Sequence, residues 1–90
     1  MSVVRRLRIV NEKGLHARAS AKFVELVEAH DARVTVEKDG EKVSGDSIMG
    51  LLTLVAARGS TITLTVTGTE AEKLADALSA LVADCFGEGM

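Results

Sequence analysis

Ninety residues suffice for one domain, spanning 1–90, with a single modest core and no room for a second. Apolar residues make up 47% of the chain, yet twelve are alanine and only two are aromatic. Leu, Val and Ile from several thin elements must therefore build that core, which suits a small two-layer fold. Eleven basic and thirteen acidic residues leave a net charge of −2, with no Lys/Arg run and no Trp or Tyr for stacking bases, which argues against nucleic acid as a partner. Nothing approaches the length of a membrane span. The N-terminus enters Val3-Val4-Arg5-Arg6-Leu7 without a signal-peptide apolar region, and a cytoplasmic protein is expected. Cys85 is the lone cysteine; without an intrachain partner, and on an apolar stripe, it reads as a packed thiol rather than a reactive one.

In chain order, Leu7 and Ile9 alternate with Arg6 and Arg8, the period-2 pattern of a strand wet on one face, and predict a first strand over Val3–Val10. Asn11-Glu12-Lys13-Gly14 breaks the pattern. From Ala17 the period changes: Ala19, Phe23, Leu26 and Val27 share one face and predict a helix to about Ala29, with His16 near its N-cap. Val34 and Val36 mark a second strand, and Asp39-Gly40 suits a type I′ hairpin into a third, Glu41 to Ser44. Ser47 is placed to cap a short helix whose apolar positions are Ile48, Leu51, Leu52 and Val55, with Gly59 as its stop. Ile62, Leu64 and Val66 among threonines give the clearest strand of all. Thr69 and Glu72 read as a capping box for a last helix carrying Leu74, Leu78, Leu81, Val82 and Cys85, after which Gly87 to Met90 should fray. The order β-α-β-β-α-β-α implies an α+β open-faced sandwich; periodicity alone leaves the strand order open.

One stretch carries chemistry. Gly14-Leu15-His16-Ala17-Arg18-Ala19-Ser20 follows a strand and opens a helix, so it gathers an imidazole, a guanidinium and free backbone N–H groups at one helix N-terminus. That is an anion site with a nucleophile in it. The plain alternative is an ordinary histidine at a helix start. His30, beside Asp31, fits a cation favoured by a helix C-terminus, and two histidines far apart with one cysteine offer no convincing metal-ligand set.

Gly14-Leu15-His16-Ala17-Arg18 at one helix start and Asp46-Ser47-Ile48-Met49-Gly50 at another resemble the HPr family, the histidine-containing phosphocarriers of the bacterial phosphoenolpyruvate-dependent phosphotransferase system. The resemblance covers the whole length. It implies a four-stranded antiparallel sheet in the order 1-4-2-3 with three helices on one face. It also implies that His16 accepts a phosphoryl group on Nδ1 from phosphorylated enzyme I and passes it to an EIIA-type acceptor, with no metal or organic cofactor and no catalytic turnover of its own. A site that must meet two partners in turn suits a monomer. The N–H groups of Ala17 and Arg18 would face the phosphate, and the Arg18 side chain would add charge-assisted donors.

His-Ala-Arg-Ala-Ser, with Ala19 in place of the family's usual proline, looks like the nitrogen-type, NPr-like branch, which typically serves regulation more than sugar uptake. Alanine restores an N–H that proline would remove. In many relatives the serine at the Ser47 position is phosphorylated by an HPr kinase/phosphorylase; the N-cap role of Ser47 holds whether or not such an enzyme acts. Docking is expected through Ala21, Ile48, Met49 and Leu52, with Glu25 and Glu28 as rim charges where sugar-type members are often basic. Such a rim calls for a cognate enzyme I with a less acidic surface. The alternative reading is a regulatory binding module acting through the state of Ser47 without phosphorelay at His16.

Overall fold

The structure, a computed structural model, describes residues 2–89. Its sheet is built outward from the strand with the most regular alternation, β4 (Thr61–Thr67), in which Ile62, Leu64 and Val66 are fully buried while the threonines face the other side. Removing one such side chain from water contributes about 1.5–3 kcal/mol, so this strand lies at the centre. It pairs antiparallel with β1 (Ser2–Arg8) on one side, Leu7 opposite Ile62 and Val3 opposite Val66, and with β2 (Arg33–Lys38) on the other, Val36 opposite Leu64. The short β3 (Glu41–Ser44) hangs on the outside of β2, giving the order β1-β4-β2-β3. Asp39 and Gly40, both at positive φ (51° and 83°), make the β2–β3 turn as expected of a type I′ hairpin.

Three helices cover the apolar face: α1 (Ala17–Glu28), α2 (Ile48–Thr53) and α3 (Ala71–Ala83). Ala19, Phe23, Val24 and Val27 of α1 meet Leu74, Leu78 and Val82 of α3 and Leu51 of α2 in one continuous core. Small residues at Ala19, Ala71 and Ala75, all fully buried, let the helices sit close on the sheet. Arg5 is the exception on the inward side of β1. Its stem lies half-buried and its guanidinium escapes to Asp76 of α3 at 3.0 Å.

Several boundaries differ from the sequence expectation. Regular β1 stops at Arg8 rather than Val10, although Ile9 still bonds to both Ser60 and Gly59, and Val10 turns outward. α2 ends before Val55, which is 75% exposed at φ 51°, and Leu54 takes the buried place instead. The left-handed residue that follows the end of α2 is therefore Val55; Gly59 is also at positive φ (90°) but comes later in the loop, after the chain has swung to present the Ala56 carbonyl to the Leu15 N–H at 2.9 Å. No capping box forms at Thr69. The N-cap of α3 is Glu70, and the Thr69 hydroxyl and Glu70 carboxylate bond instead to Asp31 in the α1–β2 loop, the first donating to its carboxylate and the second accepting from its N–H.

The end of the chain departs most from the pattern. α3 stops at Ala83, so Cys85 leaves the apolar stripe and is only half-buried, while Phe86 becomes fully buried. Both sit at positive φ (54° and 55°), a conformation that costs a bulky residue about 1–2 kcal/mol. Burial of the Phe86 ring offsets that cost. Phe86→Ala is accordingly expected to lower stability by about 3–5 kcal/mol, read as a fall in the urea midpoint at unchanged slope.

Candidate functional site

The site begins with a glycine that has no substitute. Gly14 stands at φ 66°, and a Cβ there would lie 2.5 Å from the Ala56 carbonyl oxygen and 3.0 Å from the Ala57 Cα. With that approach allowed, the Leu15 N–H donates to Ala56 O, the Leu15 side chain is buried, and the Ser20 hydroxyl donates to Leu15 O at 3.2 Å. Asn11, fully buried, donates from Nδ2 to the Gly14 carbonyl at 2.8 Å and ties the turn from below. The chain thus enters α1 along one fixed path.

His16 is the N-cap of α1, in extended conformation, with its carbonyl accepting from the Ser20 N–H at 2.8 Å. Its ring makes no capping bond and stays half-buried at the mouth of a cleft of about 580 Å³ that Lys13, Ala17, Arg18 and Glu88 also line. The N–H groups of Ala17, Arg18 and Ala19 have no acceptor among the described residues. A terminus of this kind favours an anion by about 0.3–1 kcal/mol when exposed. Arg18 is exposed and, among the described residues, unpaired with any carboxylate. A cation in the first turn opposes the helix dipole, so an incoming anion relieves that repulsion.

The tail does not fray over Gly87–Gly89, as the sequence implied; Met90 lies outside the described residues. After the two left-handed residues the Phe86 carbonyl accepts from Lys22 Nζ of α1 at 2.6 Å. Glu88 then turns back into the cleft. Its Oε1 accepts from Asn11 Nδ2 at 3.0 Å and its Oε2 meets His16 Nε2. These hydrogen bonds, that of Asn11 foremost and that of His16 next, hold the Glu88 carboxyl below its ordinary value of 4.5 despite some opposing desolvation; the charges of His16 and Lys13 act in the same direction. Neither Asn11 nor Glu88 was singled out from the sequence. The available signal was Phe86, a bulky apolar residue just past the last helix, which had to be buried somewhere and would draw its neighbours along.

The second motif lies beside the first. The Ser47 hydroxyl accepts from the Gly50 N–H at 2.9 Å as the N-cap of α2. Ile48 and Met49 are exposed and Leu52 half-buried, and a second cleft of about 250 Å³ links His16 and Leu15 to Leu52 and Val55. Val55, expected in the core, belongs to this apolar surface. Ala21, expected outside, is half-buried; Glu25 and Glu28 are exposed. His30 sits at the C-terminal end of α1, where its Nδ1–H donates to the Leu26 carbonyl at 2.7 Å. Among the described residues no cluster of His, Cys, Asp and Glu suits a metal, and no helix is long and apolar enough to cross a membrane.

An open helix N-terminus, a cation and an accessible imidazole lie together on an open-faced sandwich, an arrangement suited to an anionic group. Comparison with known proteins agrees. A family profile described as "PTS HPr component phosphorylation site" matches residues 3–84. Phosphocarrier protein HPr of Cupriavidus necator is 46% identical over 81 residues, 90% of this chain and 91% of its own. Phosphocarrier protein NPr of Shewanella violacea is 42% identical over 84 residues, 93% and 92% of the two chains. Among solved structures, HPr-C-His from Thermoanaerobacter tengcongensis superposes with a TM-score of 0.93 at 35% identity, covering 98% of this chain and 99% of that one. HPr from Bacillus anthracis gives 0.86 at 40%, covering 90% and 96%. The chain belongs to the HPr family of phosphotransferase-system phosphocarriers. Members of this family are carriers rather than enzymes and work with enzyme I and EIIA proteins.

Gly14→Ala forces either the strained φ or the contact with Ala56 O to give way. It is expected to cost about 1–3 kcal/mol in urea unfolding, with loss of protection at the Leu15 amide in hydrogen exchange.

Proposed function

We propose that His16 of this carrier takes a phosphoryl group on Nδ1 from phosphorylated enzyme I and yields it to an EIIA-type protein in a regulatory, nitrogen-type phosphotransferase system. The observation that carries the proposal is the open start of α1: His16 at the N-cap and, among the described residues, three N–H groups without acceptors and Arg18 paired with no carboxylate. Phosphoryl transfer passes through a loose transition state, so a protein contributes mainly alignment and field. The N–H groups of Ala17 and Arg18 and the Arg18 guanidinium supply that field without enclosing the group. A carrier needs this, because it must release what it accepts. Ala19 contributes one more N–H, which a proline there would remove.

Leu52 and Val55 line the second cleft with the histidine, and exposed Ile48 and Met49 stand on the same helix as Leu52; this apolar surface fits docking by the donor and acceptor in turn, with this chain as a cytoplasmic monomer. Ala21 and the exposed Glu25 and Glu28 on α1 form the rim. Their negative charge favours a less acidic enzyme I and supports the nitrogen-type reading, as does the likeness to a relative named NPr.

Ser47 supplies a second level. Its hydroxyl caps α2 at the edge of the docking surface. A phosphoryl group placed there by an HPr kinase/phosphorylase would add nearly two negative charges beside Ile48 and Met49 and weaken docking.

Incubation with enzyme I and phosphoenolpyruvate is expected to label the native protein with acid-labile phosphate, faster with a nitrogen-type than with a sugar-type enzyme I, and His16→Ala is expected to take no label. Label on His16→Ala would refute the assignment, and equal rates with both enzymes would refute the nitrogen-type reading. Ser47→Asp is expected to slow labelling on the order of tenfold, the scale of one charged contact, with unchanged thermal stability; native-rate labelling would reject Ser47 as a switch.

A further inference from the structure

The Glu88 carboxylate meets Nε2 of His16, the ring nitrogen other than the one proposed above to take the phosphoryl group. At neutral pH Glu88 is ionised, since its pKa lies below the ordinary 4.5, and an ionised carboxylate only accepts hydrogen bonds. The nitrogen it faces, Nε2, must therefore carry the proton. In a neutral imidazole the other nitrogen then holds the lone pair.

We infer that Glu88 is a positioning residue for His16: it holds the ring in the Nε2–H form, so that the lone pair is left on Nδ1. The inference rests on the carrier reading of His16 given above. Glu88 is itself held, because its second oxygen accepts from the buried Asn11 and its backbone approach is set by buried Phe86 and by Lys22 on the Phe86 carbonyl. The arrangement is a relay of orientation, from Asn11 to the carboxylate to the ring, with the nucleophile at its end.

The same contact serves the transfer step. As the Nδ1 lone pair forms the N–P bond, the bond from phosphorus to the donor atom breaks and its electron pair stays with the donor. The ring acquires positive charge, shared with Nε2–H, and the Glu88 carboxylate lies against that proton. On release to the acceptor the N–P electron pair returns to Nδ1 and the ring is again neutral with its proton on Nε2. No proton has to leave the site in either direction. Lys13 and Arg18 at the cleft face the incoming anion, and Glu12 is the other carboxylate lining it. Glu88 is the carboxylate that meets the ring.

Two measurements test the assignment. Nitrogen-15 NMR of the imidazole in the native, unphosphorylated protein, at a pH where the ring is neutral, is expected to place the proton on Nε2. A proton on Nδ1 would overturn the inference. In Glu88→Gln, which keeps the length of the side chain but offers both donor and acceptor, the maximal rate of transfer from phosphorylated enzyme I should fall on the order of tenfold, the scale of one charge-assisted hydrogen bond. The concentration of carrier giving half-maximal rate should stay the same, and Glu88→Asp should recover part of the loss. A native maximal rate in Glu88→Gln, or a change confined to the half-maximal concentration, would overturn the positioning role. Absence of labelling in the native protein would instead defeat the carrier reading, and the ring tautomer would still decide the assignment of Glu88.

Discussion

The functional end of the molecule depends on one backbone hydrogen bond, from the Leu15 N–H to the Ala56 carbonyl. It joins the loop before α1 to the loop after α2, and both the histidine and the exposed apolar residues beside it take their places from it. The bond needs Gly14 without a Cβ and Val55 in a left-handed turn. A chain that left either condition unmet would displace His16 from the helix axis. The three open N–H groups would then point at water, and the field on which the chemistry relies would be lost.

Around that bond the charges are arranged so that an anion can be held and then released. The α1 terminus and Arg18 are suited to attract the phosphoryl group proposed for this site, but neither would enclose it, since both are exposed or line an open cleft. Such interactions are worth little individually in water. For an enzyme that would be a weakness. A carrier between two partners instead needs near-equal free energies on both sides, which a shallow, solvated site supplies.

The C-terminal turn shows how packing can bring a remote residue to a reactive group. Phe86 buries its ring under α1 and α3 at the cost of two left-handed residues. Lys22 fixes the passing carbonyl, and Glu88 is delivered to a ring 72 positions away in sequence. No local propensity encodes such a contact; it follows from the demand of one apolar ring for a place in the core.

Much of the fold was legible from local pattern, because period-2 and period-3.6 burial leave a mark on each short segment. The strands with Leu64 and Val36, the helix with Phe23 and Val27, the Asp39-Gly40 turn and the Ser47 cap all stand where periodicity and turn chemistry put them. The place of His16 and Arg18 at the start of α1 could likewise be read, since a helix start after a glycine is a local event. The errors came where a distant partner competes for a group. Asp31 takes the Thr69 hydroxyl that would have begun a capping box, Leu54 rather than Val55 fills the space under α2, and Phe86 rather than Cys85 reaches the core. The sequence alone determined the elements and the position of His16 at a helix N-terminus, because both arise from neighbours within a few residues. Only tertiary structure decided which residues surround the ring, because Ala56, Asn11 and Glu88 reach it through packing and hydrogen bonds between segments that local pattern treats as unrelated.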